Sequence, residues 1–104
     1  MNIKNLSQLK RAFQNGCTFK IVSHSRPEYV GEVRKITKVQ TNGFYSKVED
    51  PDHRTFTANN GLGFWCEFGK ASDWNFNGNF CTYFTEYKYS KHYLKKEIMT
   101  IEVI

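Results

Sequence analysis

The chain has 104 residues, a formal net charge of +5 and a pI near 9.2; this length fits one domain over residues 1–104, with a modest core and too little apolar area for a second. No segment approaches the ~20 apolar residues of a membrane helix, and the first residues lack the apolar run of a secretory signal, so a cytoplasmic protein without membrane contact is expected. Nine phenylalanines, six tyrosines and two tryptophans exceed what so small a core can hide, so some rings should lie among surface lysines as a binding surface.

Asn5 followed by Gln8 reads as a capping pair, and Leu6, Leu9 and Phe13 recur at helical spacing until Asn15-Gly16, which predicts a short amphipathic helix over 6–14 ended by a left-handed glycine. Cys17, Phe19 and Ile21 then alternate with polar neighbours as a first strand, broken by Ser25-Arg26-Pro27-Glu28 because proline cannot continue a ladder. A second strand over 29–41 changes phase between Val33, Ile36 and Val39, which predicts a bulge near Arg34-Lys35. Asn42-Gly43 is a hairpin signal leading into a strand over 44–48.

The acidic segment at 49–54 reads as a turn and residues 55–61 as a loop rich in threonine and asparagine. The following stretch, 62–74, holds both tryptophans; Leu62, Phe64, Cys66 and Phe68 fall on one face and Trp65 and Glu67 on the other. So aromatic a strand is expected near the middle of the sheet. Asn77-Gly78-Asn79 predicts a tight hairpin between 74–76 and 80–87, residues 88–96 a polar loop, and 98–104 a closing strand. The inventory predicts an α+β fold: a short N-terminal helix packed on a strongly bent five- to six-stranded antiparallel sheet, SH3-like or an incomplete barrel.

Most catalytic patterns fail on spacing. Gly69-Lys70 has Ala71 where a phosphate-binding loop needs a hydroxyl. Cys17, Cys66 and Cys81, with His24, His53 and His92, show no paired ligand spacing, so no metal site and no disulfide framework is expected. Asp50, Asp52 and His53 read as turn chemistry rather than a cation site. Cys81 is the least buried thiol by pattern and so the candidate nucleophile. No complete catalytic or cofactor constellation results, and neither enzymatic activity nor a cofactor is expected.

The remaining signal is basic and aromatic. Lys88, Tyr89, Lys91, His92, Tyr93, Lys95 and Lys96 follow Tyr87, and Arg34, Lys35 and Lys38 with Arg26 form a second group that would extend this surface if the bent strand lies beside it. Lysines neutralise phosphates with release of counterions, and tyrosines stack on unpaired bases or anchor a protein partner. A solvated hairpin tip with scattered lysines is the plain alternative.

The opening residues 2–10, Arg26-Pro27-Glu28 with Gly31, Gln40-Thr41-Asn42-Gly43, Ala58-Asn59-Asn60-Gly61 and Gly69-Lys70-Ala71-Ser72-Asp73-Trp74 resemble small uncharacterised proteins carried by mobile genetic elements of Gram-positive bacteria. The likeness covers about three quarters of the chain and brings no activity or catalytic residue with it. It implies a setting in which small accessory proteins regulate the element or disarm host defence, anti-CRISPR inhibitors among them. Two readings follow: a non-enzymatic accessory protein that binds and blocks a host protein or protein–RNA complex such as a CRISPR nuclease, and a module for single-stranded DNA or RNA.

Overall fold

The computed structural model describes residues 2–48, 63–89 and 91–104, with the backbone alone at 87–89 and 93. In chain order they form helix α1 (Leu6–Gln14), strand β1 (Thr18–His24), a 3-10 turn (Pro27–Tyr29), β2 (Val33–Val39), β3 (Gly43–Val48), β4 (Phe64–Glu67), a second 3-10 turn (Ala71–Asp73), β5 (Trp74–Asn77), β6 (Phe80–Tyr89) and β7 (His92–Val103). The seven strands make one antiparallel sheet in the order β4-β3-β2-β1-β7-β6-β5. The expected Asp50, Asp52 and His53 turn lies outside the described residues. No described helix is long and apolar enough to cross a membrane.

Helix α1 is set by its ends. The Asn5 side chain accepts the Gln8 N–H at 2.9 Å, and the Gln8 side-chain Oε1 accepts the Lys4 N–H at 2.8 Å, so one donor that a helix start leaves unpaired and the amide just before the cap are both satisfied. Gly16 closes the other end at φ +82°, where a side chain would be strained. Leu6, Leu9, Ala12 and Phe13 are buried, forming the stripe that faces the sheet.

Under that stripe, Phe13 lies 4.7 Å from Phe44 and 6.1 Å from Phe68, and Phe44 lies 5.2 Å from Phe68 between ring centroids. Such pairs contribute about 0.5–1.5 kcal/mol each beyond the area they bury. Phe19, Ile21, Cys81, Ile101 and Val103 complete the core from β1, β6 and β7.

The sheet is strongly curled. Glu67 on β4 and Tyr83 on β6 are five strand spacings apart in sheet order, roughly 24 Å in a flat sheet, yet the Tyr83 hydroxyl donates to Glu67 Oε1 at 3.1 Å. The Trp74 indole N–H, at the start of β5, donates to the Phe68 carbonyl just beyond β4 at 2.6 Å. Side chains and one short turn therefore bridge the two ends, and no ladder joins β4 to β5 among the described residues. The sheet is not a closed barrel. Gly69, at φ +62°, lies where a Cβ would meet the Asp73 carboxylate at 2.8 Å and the Tyr83 hydroxyl at 3.0 Å, so this crossing needs glycine.

Three expectations change. Seven strands replace five or six. Among the described residues β4, with Phe64 44% and Trp65 39% exposed, is an edge strand rather than a central one. Residues 88–89 and 92–96, expected as part of a loop, instead carry the ends of β6 and β7, which pair from Phe80↔Glu102 to Tyr89↔His92.

Trp74→Phe should keep an aromatic ring at this position while removing the donor to a buried carbonyl and part of the packed indole. The expected loss is about 1–3 kcal/mol, read as a lower urea midpoint at unchanged slope; an unchanged midpoint would show that this bond does not hold the ends together.

Candidate nucleic-acid interface

The convex face of the sheet, opposite α1, gathers basic and aromatic side chains on β2, β3 and β4. Phe44 and Ser46 are buried on the concave side, so alternation turns Tyr45 and Lys47 outward. Lys35 stands directly opposite Lys47, and Lys38 opposite Tyr45. Lys38 reaches this face because the β2–β3 register shifts between Ile36 and Lys38; without the extra residue it would point to the core like Arg34 and Ile36. The predicted phase change is thus present, two residues later than expected.

Tyr45 and Trp65 pair across β3 and β4 with ring centroids 4.9 Å apart. Gly43 permits this, because a Cβ there would collide with the Trp65 ring and the Cys66 carbonyl. The result is a two-ring platform beside Lys38, Lys35 and Lys47. Two like charges directly opposite on neighbouring strands destabilise a sheet, and among the described residues neither Lys35 nor Lys47 has an acid partner. On β1, Thr18 stands opposite Lys35, and Lys20 stands opposite Glu102 of β7.

The residues expected to form one surface separate. Lys35 and Lys38 lie on this face. Arg34 does not: it is 5% exposed, its Nε and Nη2 donate to Glu32 Oε1 at 3.0 and 2.8 Å, and it faces the interior because it shares the inward phase of Ile36. Lys91, His92, Lys95 and Lys96 are exposed on the distal β6–β7 hairpin, whereas the side chains of Lys88, Tyr89 and Tyr93 lie outside the description. Lys95 donates to the Ser72 carbonyl at 2.9 Å and stands opposite Glu86, so it braces the hairpin. Strands β1 and β7 separate β2 from β6, and the two groups are not neighbours on the sheet. Tyr45, Lys47 and Trp65 were missed as a group; the alternation Phe44-Tyr45-Ser46-Lys47 after Asn42-Gly43 held the signal.

On the concave side, beyond α1, a cavity of about 230 Å³ is lined by Phe19, Phe44, Phe64, Ile98 and Met99 together with Arg34, His24, Tyr29 and Ser46. The Arg34 guanidinium lies 5.2 Å from the Phe64 ring and 6.0 Å from the Tyr29 ring. The His24 imidazole packs edge-on to Tyr29 at 5.0 Å. Burial first, and then the positive charge of Arg26, hold its pKa below the ordinary histidine value.

Cys81, expected as the most accessible thiol, is fully buried. Its pairing opposite Ile101 places it inward, and burial pushes its pKa up to about 12; burial likewise raises Cys66 to about 12 and Cys17 to about 11. A thiol held neutral is a poor nucleophile. Among the described residues, no three of His, Cys, Asp and Glu gather as a metal site. At the Gly69-Lys70 turn, the Lys70 N–H is taken by the Asp73 carboxylate at 2.8 Å, which occupies an amide that a phosphate would need.

No family model, curated protein or solved structure matches the chain.

Because each folded thiol pKa is raised above its ordinary value of 9.0, the neutral form contributes stability that is complete below pH 9 and is lost as pH rises toward 11–12. Thiolate absorbance of the folded protein should therefore develop well above pH 9, and that of the urea-unfolded chain near 9. Coincident titrations would contradict the burial of all three sulfurs.

Proposed function

We propose that this is a non-enzymatic accessory protein that acts by stoichiometric binding, with the convex face of β2–β4 as its contact surface and single-stranded nucleic acid as its ligand. The observation that carries this reading is the Lys35–Lys47 pair, which has no acid partner among the described residues, next to the Tyr45–Trp65 platform. A fold gains nothing from two lysines in direct cross-strand opposition, whereas a phosphate chain passing between them relieves the repulsion and releases its counterions. Exposed rings on a sheet supply sequence-tolerant stacking for unpaired bases, which a duplex does not offer.

The thiols, all shifted toward the neutral form, favour binding over catalysis. The likeness to mobile-element proteins supports a setting in which the bound strand belongs to a host machine. In that setting the protein is an anti-CRISPR-type inhibitor, the strand is the guide or displaced strand of an RNA-guided nuclease, and the exposed hairpin residues Lys91, His92 and Lys96 contact the nuclease protein.

Lys35→Glu separates function from fold by sign. An opposite-charge pair with Lys47 should stabilise the sheet by about 0.2–1 kcal/mol, while affinity for a labelled single-stranded oligonucleotide falls and the salt slope drops by about 0.7 per lost phosphate contact. Trp65→Ala should weaken binding by about 1–3 kcal/mol. Fluorescence polarisation across a salt series reads both, and unchanged affinity in both variants would remove this face from the contact. Co-purification of a nuclease complex that survives nuclease treatment, lost in Lys35→Glu, would support the inhibitor setting.

A further inference from the structure

We propose that the Arg34 cavity is a pocket for one unstacked nucleobase, entered around the β4 edge and selective for the acceptor edge of guanine. This deepens the nucleic-acid reading above and rests on it. The size fits first: a dry cavity of about 150 Å³ accepts benzene, so about 230 Å³ has room for a two-ring base. The walls fit next. Phe19, Phe44 and Phe64 offer ring faces and edges, and Ile98 and Met99 supply apolar cover.

The polar groups decide the class of base. Arg34 spends Nε and Nη2 on one oxygen of Glu32, while Nη1 reaches Ser46 Oγ and Ser46 O only at 3.4 and 3.5 Å, beyond the usual range of an N–H···O bond. A good acceptor in the cavity would improve on both contacts. The Arg34–Glu32 pair is neutral as a unit, which suits a neutral acceptor better than a second anion. His24 Nδ1 accepts the Arg26 N–H at 2.9 Å, so its ring proton sits on Nε2 and it adds a donor. A cavity rich in donors matches guanine, which presents O6 and N7 side by side as acceptors; adenine places a donor beside N7.

The route is given by the edge strand. Phe64, Trp65 and Cys66 of β4 all line the cavity, and Trp65 also pairs with Tyr45 on the convex platform; Phe64 and Trp65 are each more than a third exposed. A strand stacked on Trp65 and Tyr45 therefore has one residue's width of backbone to cross before a base can turn into the cavity.

The chain contains two methionines, Met1 and Met99, and Met99 lines the cavity, so methyl-labelled methionine reports occupancy directly by NMR. Guanosine monophosphate should move the Met99 methyl signal saturably, and the adenosine, cytidine and uridine monophosphates should do so more weakly. Arg34→Lys keeps a charge beside Glu32 but loses the planar fork, and should lower guanosine monophosphate affinity roughly 5- to 150-fold. Because that change alters a buried ion pair, Ile98→Phe serves as the second variant: it fills the cavity from a half-buried wall and should abolish the response.

A Met99 signal unmoved by guanosine monophosphate, in protein that still binds the oligonucleotide, would overturn the pocket and leave the convex-face reading intact. A saturable guanosine monophosphate response in protein that binds no oligonucleotide would support the pocket and end that reading. Equal responses to benzoate or uridine monophosphate would overturn the guanine assignment.

Discussion

The indole N–H of Trp74, donated to the Phe68 carbonyl at 2.6 Å, is the contact on which the curvature of this protein depends. Seven strands in one sheet would otherwise present a wide apolar face that a nine-residue helix cannot cover. Curling brings the far strands over the same core, so Phe68 from one end and Trp74 and Tyr83 from the other pack within one cluster. Tyr83 and Glu67 fasten the same seam a few residues away. The burial lost if this seam opened would include parts of both ends, which makes the interaction larger in effect than one hydrogen bond.

Curvature also divides the molecule into two chemically different sides. On the concave side the one buried charge is balanced within the fold, since Arg34 is neutralised by Glu32. On the convex side, Lys35 and Lys47 receive no such compensation among the described residues. The same strand, β2, supplies both, and the register shift between Ile36 and Lys38 is what lets it do so.

Much of this was legible where the determining interactions are local. Helix α1 runs over the residues its capping pattern predicts, because Asn5, Gln8 and Gly16 act within a few residues of themselves. The Gly78-Asn79 turn follows from the same kind of chemistry, with Gly78 at φ +64°. Strand order was not legible, since the β1–β7 pairing joins segments about as far apart as the chain allows. The richness of β4 in aromatics suggested a central position, but aromatics also suit an edge that serves a surface. Arg34 looked like a surface residue among lysines; its inward phase with Ile36 and the acid two residues before it were the overlooked signals. Cys81 sits between Phe80 and Thr82, where alternation alone gives no reason to prefer either face, and only the pairing with Ile101 settles it.

The turn between β5 and β6 has a role that reaches beyond its own hairpin. The Ile3 N–H donates to the Gly78 carbonyl and the Val103 N–H donates to the Asn79 carbonyl, at 2.7 and 2.8 Å. The two extremities of the fold are thus clasped by adjacent peptide groups, and the backbone closes almost into a ring. Because both clasps hang on one turn, fraying at one loosens the anchor of the other. A change of backbone at Gly78 or Asn79 would therefore be felt at Ile3 and at Val103 together, on two segments that share no strand.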